Sequence, residues 1–323
     1  MTKEASSYKR QGKRAIAHVG WIAAVIGVIF VGFFSMQGIV RTAPYRQSVV
    51  IVGDPVRVVS WNALKSQITI LDIPQDVTID ATSGYGKYAV GSLFKLDDLD
   101  HKNGTLFVSS VSDAVGLPIS WYIVPSDPKV LTEPGVSMIR RLFSWSSILA
   151  ILTHQIKSSV PLGVWLSFVA ASQSISADGV VSVDARNAFI DHGLPDGSSV
   201  RALDQSRLDY LTNNAFLDSG LRSEGLSVAV YNTTDIPSVG QHAARLMTRL
   251  GIQLLFVGNS HPAREDCAVV GSQKALVTKT TQFIKDYFHC KNGESQGALD
   301  NPTGADIVVL LGKQYATQFA VQN

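Results

Sequence analysis

Apolar positions fall into distinct regimes along the chain. Residues 21–40 form an uncharged, almost wholly apolar run. From residue 49 to 124 short apolar stretches alternate with turn residues. Residues 49–52, 56–61 and 67–73 read as strands, the last ended by Pro74, with 62–66 as a hairpin connection. Residues 105–115 place Leu106, Phe107, Val111, Ala114 and Val115 at helical spacing and stop at Gly116. Residues 119–124 return to strand. Residues 136–192 read as helices broken at Pro161 and at Asp178-Gly179. Within them, 142–156 is apolar but holds Ser, Thr, His and Gln and is too short to span a bilayer, so it reads as a core helix. The Gly/Asp/Ser-rich stretch 193–199 reads as an internal boundary, followed by a linking helix to about Arg222.

The last hundred residues are cleaner. Residues 226–231 predict a strand. Residues 238–250 predict a helix with Ser238 as N-cap and Gly251 as its stop. Residues 253–257 predict a second strand, 272–287 a helix and 307–311 a final strand. That β-α-β…α-β order implies a small α/β domain.

Composition refines this picture. A chain of 323 residues holds roughly two domains at about 150 residues each. With 46% hydrophobic and only 17% charged residues, it is neither disordered, collagenous nor a coiled coil. A net charge of +2 and an isoelectric point of about 8.4 are too balanced to indicate a nucleic-acid partner. The mean hydropathy of +0.15 owes part of its sign to residues 21–40.

Lys3, Lys9, Arg10, Lys13 and Arg14 precede that run, against the single acid Glu4. About 20 apolar residues cross a hydrocarbon core of about 30 Å, and the basic flank stays inside. A cleaved signal would have an apolar core of about 7–15 residues followed by a small-x-small site. This run is longer, and Arg41-Thr42-Ala43-Pro44 is a poor cleavage site. The expectation is an uncleaved anchor with the bulk of the chain exported from the cytoplasm.

Candidate chemistry is sparse. Asp54 follows a glycine and Asp76 lies two residues after Pro74, both ordinary places for turn acids. Lys87 reads as a solvated loop lysine, and Arg57, on an apolar strand, as a snorkelling or edge residue. No Gly-x-Ser-x-Gly elbow, phosphate loop or dinucleotide fingerprint occurs. Cys267 and Cys290 lie in the exported half, where a disulfide is permitted. A metal site with His261 or His289 is the alternative, but no C-x2-C or H-x3-H spacing supports it, which favours the disulfide.

Two stretches resemble known families. Val228-Ala-Val-Tyr-Asn-Thr-Thr-Asp-Ile-Pro-Ser-Val-Gly-Gln-His-Ala-Ala-Arg-Leu, followed by Leu250-Gly251, Val257-Gly258-Asn259 and Asp306-Ile-Val-Val-Leu-Leu-Gly312, resembles the LytR C-terminal domain over residues 226–320. Upstream, Asp54-Pro-Val-Arg-Val-Val-Ser-Trp-Asn62 and Ile70-Leu-Asp-Ile-Pro-Gln-Asp76 resemble the Asp-Thr strand and the Ser-Ile-Pro-Arg-Asp segment of LytR-CpsA-Psr domains. Gly84-Tyr-Gly-Lys87 and Gly116-Leu-Pro-Ile-Ser-Trp-Tyr122 resemble that family's Lys-containing loop and its Gly-Ile-Pro-Ile-x-x-Tyr strand.

The resemblance implies an α/β chain: a basic tail (1–18), a transmembrane helix (19–40), a reduced LytR-CpsA-Psr-like domain (45–195), a linker (196–225) and a LytR C-terminal-like domain (226–323). Family members move glycopolymers from polyprenyl-pyrophosphate carriers to peptidoglycan, using carboxylates for Mg²⁺ and arginines for the diphosphate. Asp54, Asp76 and Lys87 are the site residues it carries over, with Asp54 as metal ligand. This chain departs where charge matters. Gln75 stands where the family has arginine, and the arginine-bearing loop before Asp54 is absent. Residues 125–192 hold only Arg140, Arg141 and Arg186. The resulting expectation is a non-catalytic protein that binds glycopolymer, peptidoglycan or polyprenyl lipid, or scaffolds envelope assembly. The alternative is a Mg²⁺-dependent phosphotransferase drawing on Arg57 or Arg140.

Overall fold

The structure, a computed structural model, describes residues 45–62, 65–193, 195, 197–293 and 303–319. The basic tail and the predicted span lie outside the described residues. Among those described, no single helix is long and apolar enough to cross a membrane. The described residues within 45–160 and 168–319 form one compact unit.

The fold is mixed α/β. Strands β1 (Gln47–Ile51), β2 (Val56–Asn62) and β3 (Gln67–Ile73) make an antiparallel meander that includes the expected β2–β3 hairpin, with Val50 opposite Val58 and Val58 opposite Leu71. They form the centre of a six-stranded sheet ordered β7-β6-β1-β2-β3-β8, where β6 is Trp121–Val124, β7 Lys157–Ser158 and β8 Val180–Val183. Both faces of the meander are buried, which is why its strands read as nearly continuous apolar runs. Val56, Val58, Leu71 and Ile73 face a core that also takes in Phe107, Val111 and Val230. On the opposite face Trp61 meets Phe168 at 5.6 Å, and Phe168 stacks on Phe143 at 5.0 Å.

A four-stranded sheet, β5-β4-β10-β9, joins β4 (Thr78–Ala81) and β5 (Gly86–Ala89) to β9 (Phe189–Gly193) and β10 (Ser199–Leu203). Helices α1 (Val90–Leu99) and α2 (Thr105–Val115) follow β5, and α2 ends at Gly116 as its stop signal predicts. Gly116 has φ 64°, and a Cβ there would lie 2.7 Å from the Arg245 guanidinium, so glycine serves both the turn and the close approach.

The last third builds a five-stranded sheet ordered β12-β11-β15-β13-β14. Its strands are β11 (Ser227–Asn232), β12 (Gln253–Asn259), β13 (Ala268–Gly271), β14 (Lys291–Asn292) and β15 (Ile307–Leu311). Cys267 and Cys290 are joined by a disulfide with Cα atoms 4.3 Å apart, and no free cysteine remains. Both sulfurs are therefore unavailable to a metal.

Several expectations are corrected. The segment 136–192 is not all helical. It contains α3 (Gly135–Leu142), α4 (Trp145–Leu152) and α5 (Leu162–Ser174), but also β7, β8 and most of β9. Strand β8 pairs in parallel with β3, a long-range ladder that outweighs local pattern. Residues 193–199 turn the β9–β10 hairpin, and β10 pairs with β4, so this stretch lies inside a sheet rather than at a boundary. Residues 142–156 are not one core helix. The chain leaves helical geometry at Phe143 (φ −104°, ψ 57°), and the only buried residue of α4 is Ser147.

After α6 (Gln205–Leu211) and α7 (Ser219–Glu224) comes α8 (Val239–Arg249). Ser238 occupies the N-cap position of α8 in a left-handed conformation (φ 66°) and makes no side-chain cap bond. Gly251 (φ 91°) does stop the helix. The expected helix 272–287 is two, α9 (Gln273–Leu276) and α10 (Lys279–Phe288). Their N-cap hydroxyls, Ser272 and Thr278, accept from Ala275 N and Thr281 N. A last short helix, α11, spans Lys313–Ala316.

Arginines of α8 hold the C-terminal end of α2. Arg245 Nη1 donates to Asp113 O and its Nη2 to Ala114 O (3.2 Å), while Arg249 Nη2 donates to Val115 O (3.2 Å). Cations there satisfy carbonyls that the helix leaves without partners.

Candidate functional site

Of the candidate positions, the structure brings Gln75 to the turn joining β1 to β2, which carries Asp54, and gives Asp76, Lys87, Arg57 and Arg140 other surroundings. Gly53, Asp54 and Pro55 make this turn, and the side chain of Leu131 lies over it. A Cβ on Gly53 would come within 1.9 Å of Leu131 Cδ1, so any larger residue there requires the Leu131 side chain to move. The Asp54 side chain is exposed, with no hydrogen bond or ion pair among the described residues.

Gln75 follows Pro74 in the turn after β3. Its side-chain amide donates to the Gly53 carbonyl at 2.8 Å, and its own carbonyl accepts from Gly91 N at 3.1 Å. One residue thus ties the β1–β2 turn, the β3–β4 turn and the start of α1 together. At this position the resemblance expects a guanidinium, and the protein has a neutral donor directed at a backbone oxygen.

The charged candidates are mostly paired. Asp76 receives Arg201 Nη1 at 2.9 Å, and Arg201 Nε reaches Asp191 at 3.3 Å. All three are exposed enough for each pair to contribute no more than about 1 kcal/mol. Arg57 lies on interior strand β2, not at an edge, directly opposite Asp72 on β3. Its guanidinium bonds Asp72 through two nitrogens, at 2.7 and 3.2 Å, with Nη1 against the Met138 sulfur. Only 13% of the Arg57 side chain is exposed, so it is committed to that partner. Lys87 is exposed on β5, opposite Asp80, and makes no ion pair among the described residues. Arg140 donates to Ile175 O at 2.8 Å and lines a cleft of about 640 Å³ with Gly135, Ser137, Val180 and Ser182. Neither Arg57 nor Arg140 forms an ion pair with Asp54.

The residues present do not build a resident Mg²⁺ site. Mg²⁺ prefers one or two carboxylates supplemented by substrate phosphates and water. Asp54 offers a single exposed carboxylate, Asp72 and Asp76 are held by arginines, and no group of three or more His, Cys, Asp or Glu ligands occurs among the described residues.

Local pattern could not disclose two features. Arg201, the partner of Asp76, and Asp191, which shares that guanidinium, lie on a hairpin more than a hundred residues downstream. Arg46 is buried before β1, donating to Ser60 O and Thr69 Oγ1 at 3.1 Å each. Burial lowers its pKa to about 10, opposed by the charge of Asp218, whose carboxylate accepts from Arg46 N at 2.5 Å.

No family profile and no curated protein matches the chain. Among solved structures, TagV from B. subtilis aligns at 12% identity and a TM-score of 0.39, covering 51% of this chain and 94% of its own. A LytR-CPS2A-psr family protein, YwtF (TagT), with bound octaprenyl pyrophosphate lipid, aligns at 13% identity and 0.37, covering 52% and 88%. A transcriptional regulator from Enterococcus faecalis aligns at 11% identity and 0.40, covering 65% and 90%. Structural neighbours thus include LytR-CpsA-Psr proteins at low identity, and at these scores the likeness assigns neither ligand nor reaction.

Proposed function

We propose that the chain is a single-pass envelope protein anchored in the cytoplasmic membrane by residues 21–40, with its described part outside. Its middle domain, residues 45–203, binds an envelope glycopolymer or the polyprenyl-diphosphate carrier of one, and does not transfer it. In this reading the last domain scaffolds assembly at peptidoglycan.

The observation that carries the non-catalytic part is the Gln75–Gly53 hydrogen bond. Phosphoryl transfer depends on preorganised positive charge at the leaving diphosphate, and losing even one such donor costs about 2.7–4 kcal/mol of transition-state stabilisation. Here the expected cation is an amide already bonded to the backbone. The neighbouring Arg57 and Arg201 are held by Asp72, and by Asp76 and Asp191. The motif resemblance supplies the ligand class, and the basic flank before residue 21 supplies the topology.

The rival transferase would rest on Asp54, Lys87 and Arg140, the charged candidates that form no ion pair among the described residues. Full-length protein in detergent, given polyprenyl diphosphate with and without Mg²⁺, separates the readings. Saturable binding without phosphate-bond turnover is the expected result. Turnover abolished in Asp54→Ala would overturn it in favour of a phosphotransferase. Loss of both binding and turnover would move the function to protein partners.

A further inference from the structure

Helix α4 is built inside out. Trp145, Leu149 and Leu152 recur at i, i+4 and i+7, which puts them on one stripe. That stripe faces solvent, with 64%, 66% and 60% of the three residues exposed. The residue turned inward is Ser147, whose hydroxyl donates to Ser144 O at 2.6 Å. Scattered exposed apolar residues need no explanation, but three large ones on one stripe of an eight-residue helix do. No charged residue occurs from Phe143 to Ile156.

We infer that α4 dips into the outer leaflet of the membrane that holds the anchor, lying in the interface with Trp145, Leu149 and Leu152 among the lipids. The inference rests on the anchored reading above. Three observations select a bilayer over other occupants.

The first is tether length. The apolar run ends at Val40 and the described chain begins at Tyr45, so the linking residues reach at most about 18 Å when fully extended. That unit cannot move far from the bilayer surface. The second is helix length. Eight residues rise only about 12 Å, against about 30 Å of hydrocarbon, so α4 can lie in the interface but cannot cross. The preceding helix does not extend it, because α3 buries Met138, Ile139 and Leu142 in the protein and turns 49° away. The third is chemistry. A tryptophan at one end of an uncharged Leu/Ile helix is the composition favoured at the boundary of headgroups and acyl chains.

Both native cysteines are in the disulfide, so an introduced cysteine can be labelled selectively. Full-length protein carrying Leu149→Cys with a polarity-sensitive dye is reconstituted into phosphatidylglycerol/phosphatidylethanolamine vesicles. The dye is quenched by lipids spin-labelled at a shallow depth. Val277→Cys, exposed but outside any stripe, is the control. The expected result is a blue-shifted dye at 149, quenched severalfold more strongly than at 277. Water-like emission at both sites, in protein that floats with the vesicles, would overturn the inference and leave the anchor intact. Protein that fails to float would overturn the anchor and the inference together. A blue shift that depends on protein concentration and ignores the lipid quencher would assign the stripe to a second copy, and also overturns it.

Discussion

The Gln75 side chain donates to the Gly53 carbonyl at 2.8 Å, and Gly53 directly precedes Asp54, the candidate carboxylate. Gln75 therefore positions the turn that presents Asp54. Gln75→Ala removes one partly solvated hydrogen bond and costs about 1 kcal/mol in urea unfolding. Gln75→Arg keeps a donor and adds charge, so its stability stays within about 0.5 kcal/mol of the native protein. A charge-assisted bond to phosphate contributes about 1.5–3 kcal/mol, which predicts at least about tenfold tighter binding of polyprenyl diphosphate. Titration at low and high salt checks this, since the gain must shrink with salt. Equal affinity for the two proteins would mean that residue 75 does not face the ligand.

How far the sequence predicts the fold depends on whether the partner of each segment is near or far in the chain. The strands of the 47–73 meander, the 105–115 helix and the 307–311 strand are legible because period and stop signals act locally. Strand β8 is not. Val180-Val-Ser-Val183 is too short for its period to be diagnostic, and its partner β3 lies more than a hundred residues earlier. The same distance hides Arg201 from Asp76. Periodicity also finds the apolar stripe of α4 without its direction: the pattern gives a face, and only packing shows that the face points outward. At the site, Asp54 and Gln75 are legible as positions, while their pairing depends on two turns meeting in space.

Asp209 joins the middle and last thirds of the chain. Its carboxylate receives Arg245 at 2.8 and 2.9 Å and also Arg249, whose side chain is only 4% exposed. Burial lowers the pKa of Arg249, and the charge of Asp209 opposes that shift. Asp209→Asn keeps the shape but leaves a buried guanidinium with only neutral acceptors. The expected loss is about 2–3 kcal/mol, below the figure for a fully buried pair because Asp209 is about one-third exposed. Arg249→Met in the same chain should recover much of it, and a double-mutant cycle by denaturant unfolding measures the coupling. Additive losses would mean that the backbone carbonyls, not Asp209, hold Arg249.

The Cys267–Cys290 bridge closes a segment that contains α9 and α10, its paired positions 23 residues apart in sequence. Replacing both cysteines by serine lengthens the free loop of the unfolded chain and buries two hydroxyls. The chain-entropy contribution alone predicts a loss of about 3 kcal/mol. Thermal unfolding of the double variant should match that of the native protein under reducing conditions. A reductant-insensitive midpoint in the native protein would show that the bridge does not form in solution.

Tyr287 and Tyr315 place phenols in the same aromatic cluster around Phe288 but predict opposite outcomes. The Tyr287 hydroxyl lies 3.0 Å from Ser112 Oγ, and burial pushes its pKa up to about 12. The unfolded phenol ionises near its ordinary value of 10.0, so the folded state retains the proton longer. That contribution is complete below pH 10 and lost as pH rises from 10 towards 12. Its size is about 2–3 kcal/mol at one pH unit per about 1.4 kcal/mol. Tyr45, raised in the same direction by burial and by its bond to Asp286, adds to the same alkaline loss. Tyr287→Phe should therefore flatten part of the decline in stability above pH 10, measured by denaturant unfolding against pH, and cost about 1 kcal/mol at neutral pH through the lost Ser112 bond. Tyr315 is buried with a hydroxyl that has no partner among the described residues. Its ring already packs on Phe288 at 4.9 Å and Phe319 at 5.4 Å, contacts that phenylalanine keeps. Removing an unsatisfied buried hydroxyl relieves a desolvation cost, so Tyr315→Phe should stabilise the protein by about 1 kcal/mol and raise its thermal midpoint by a few degrees. A loss of stability instead would show that the Tyr315 hydroxyl is hydrogen-bonded in solution.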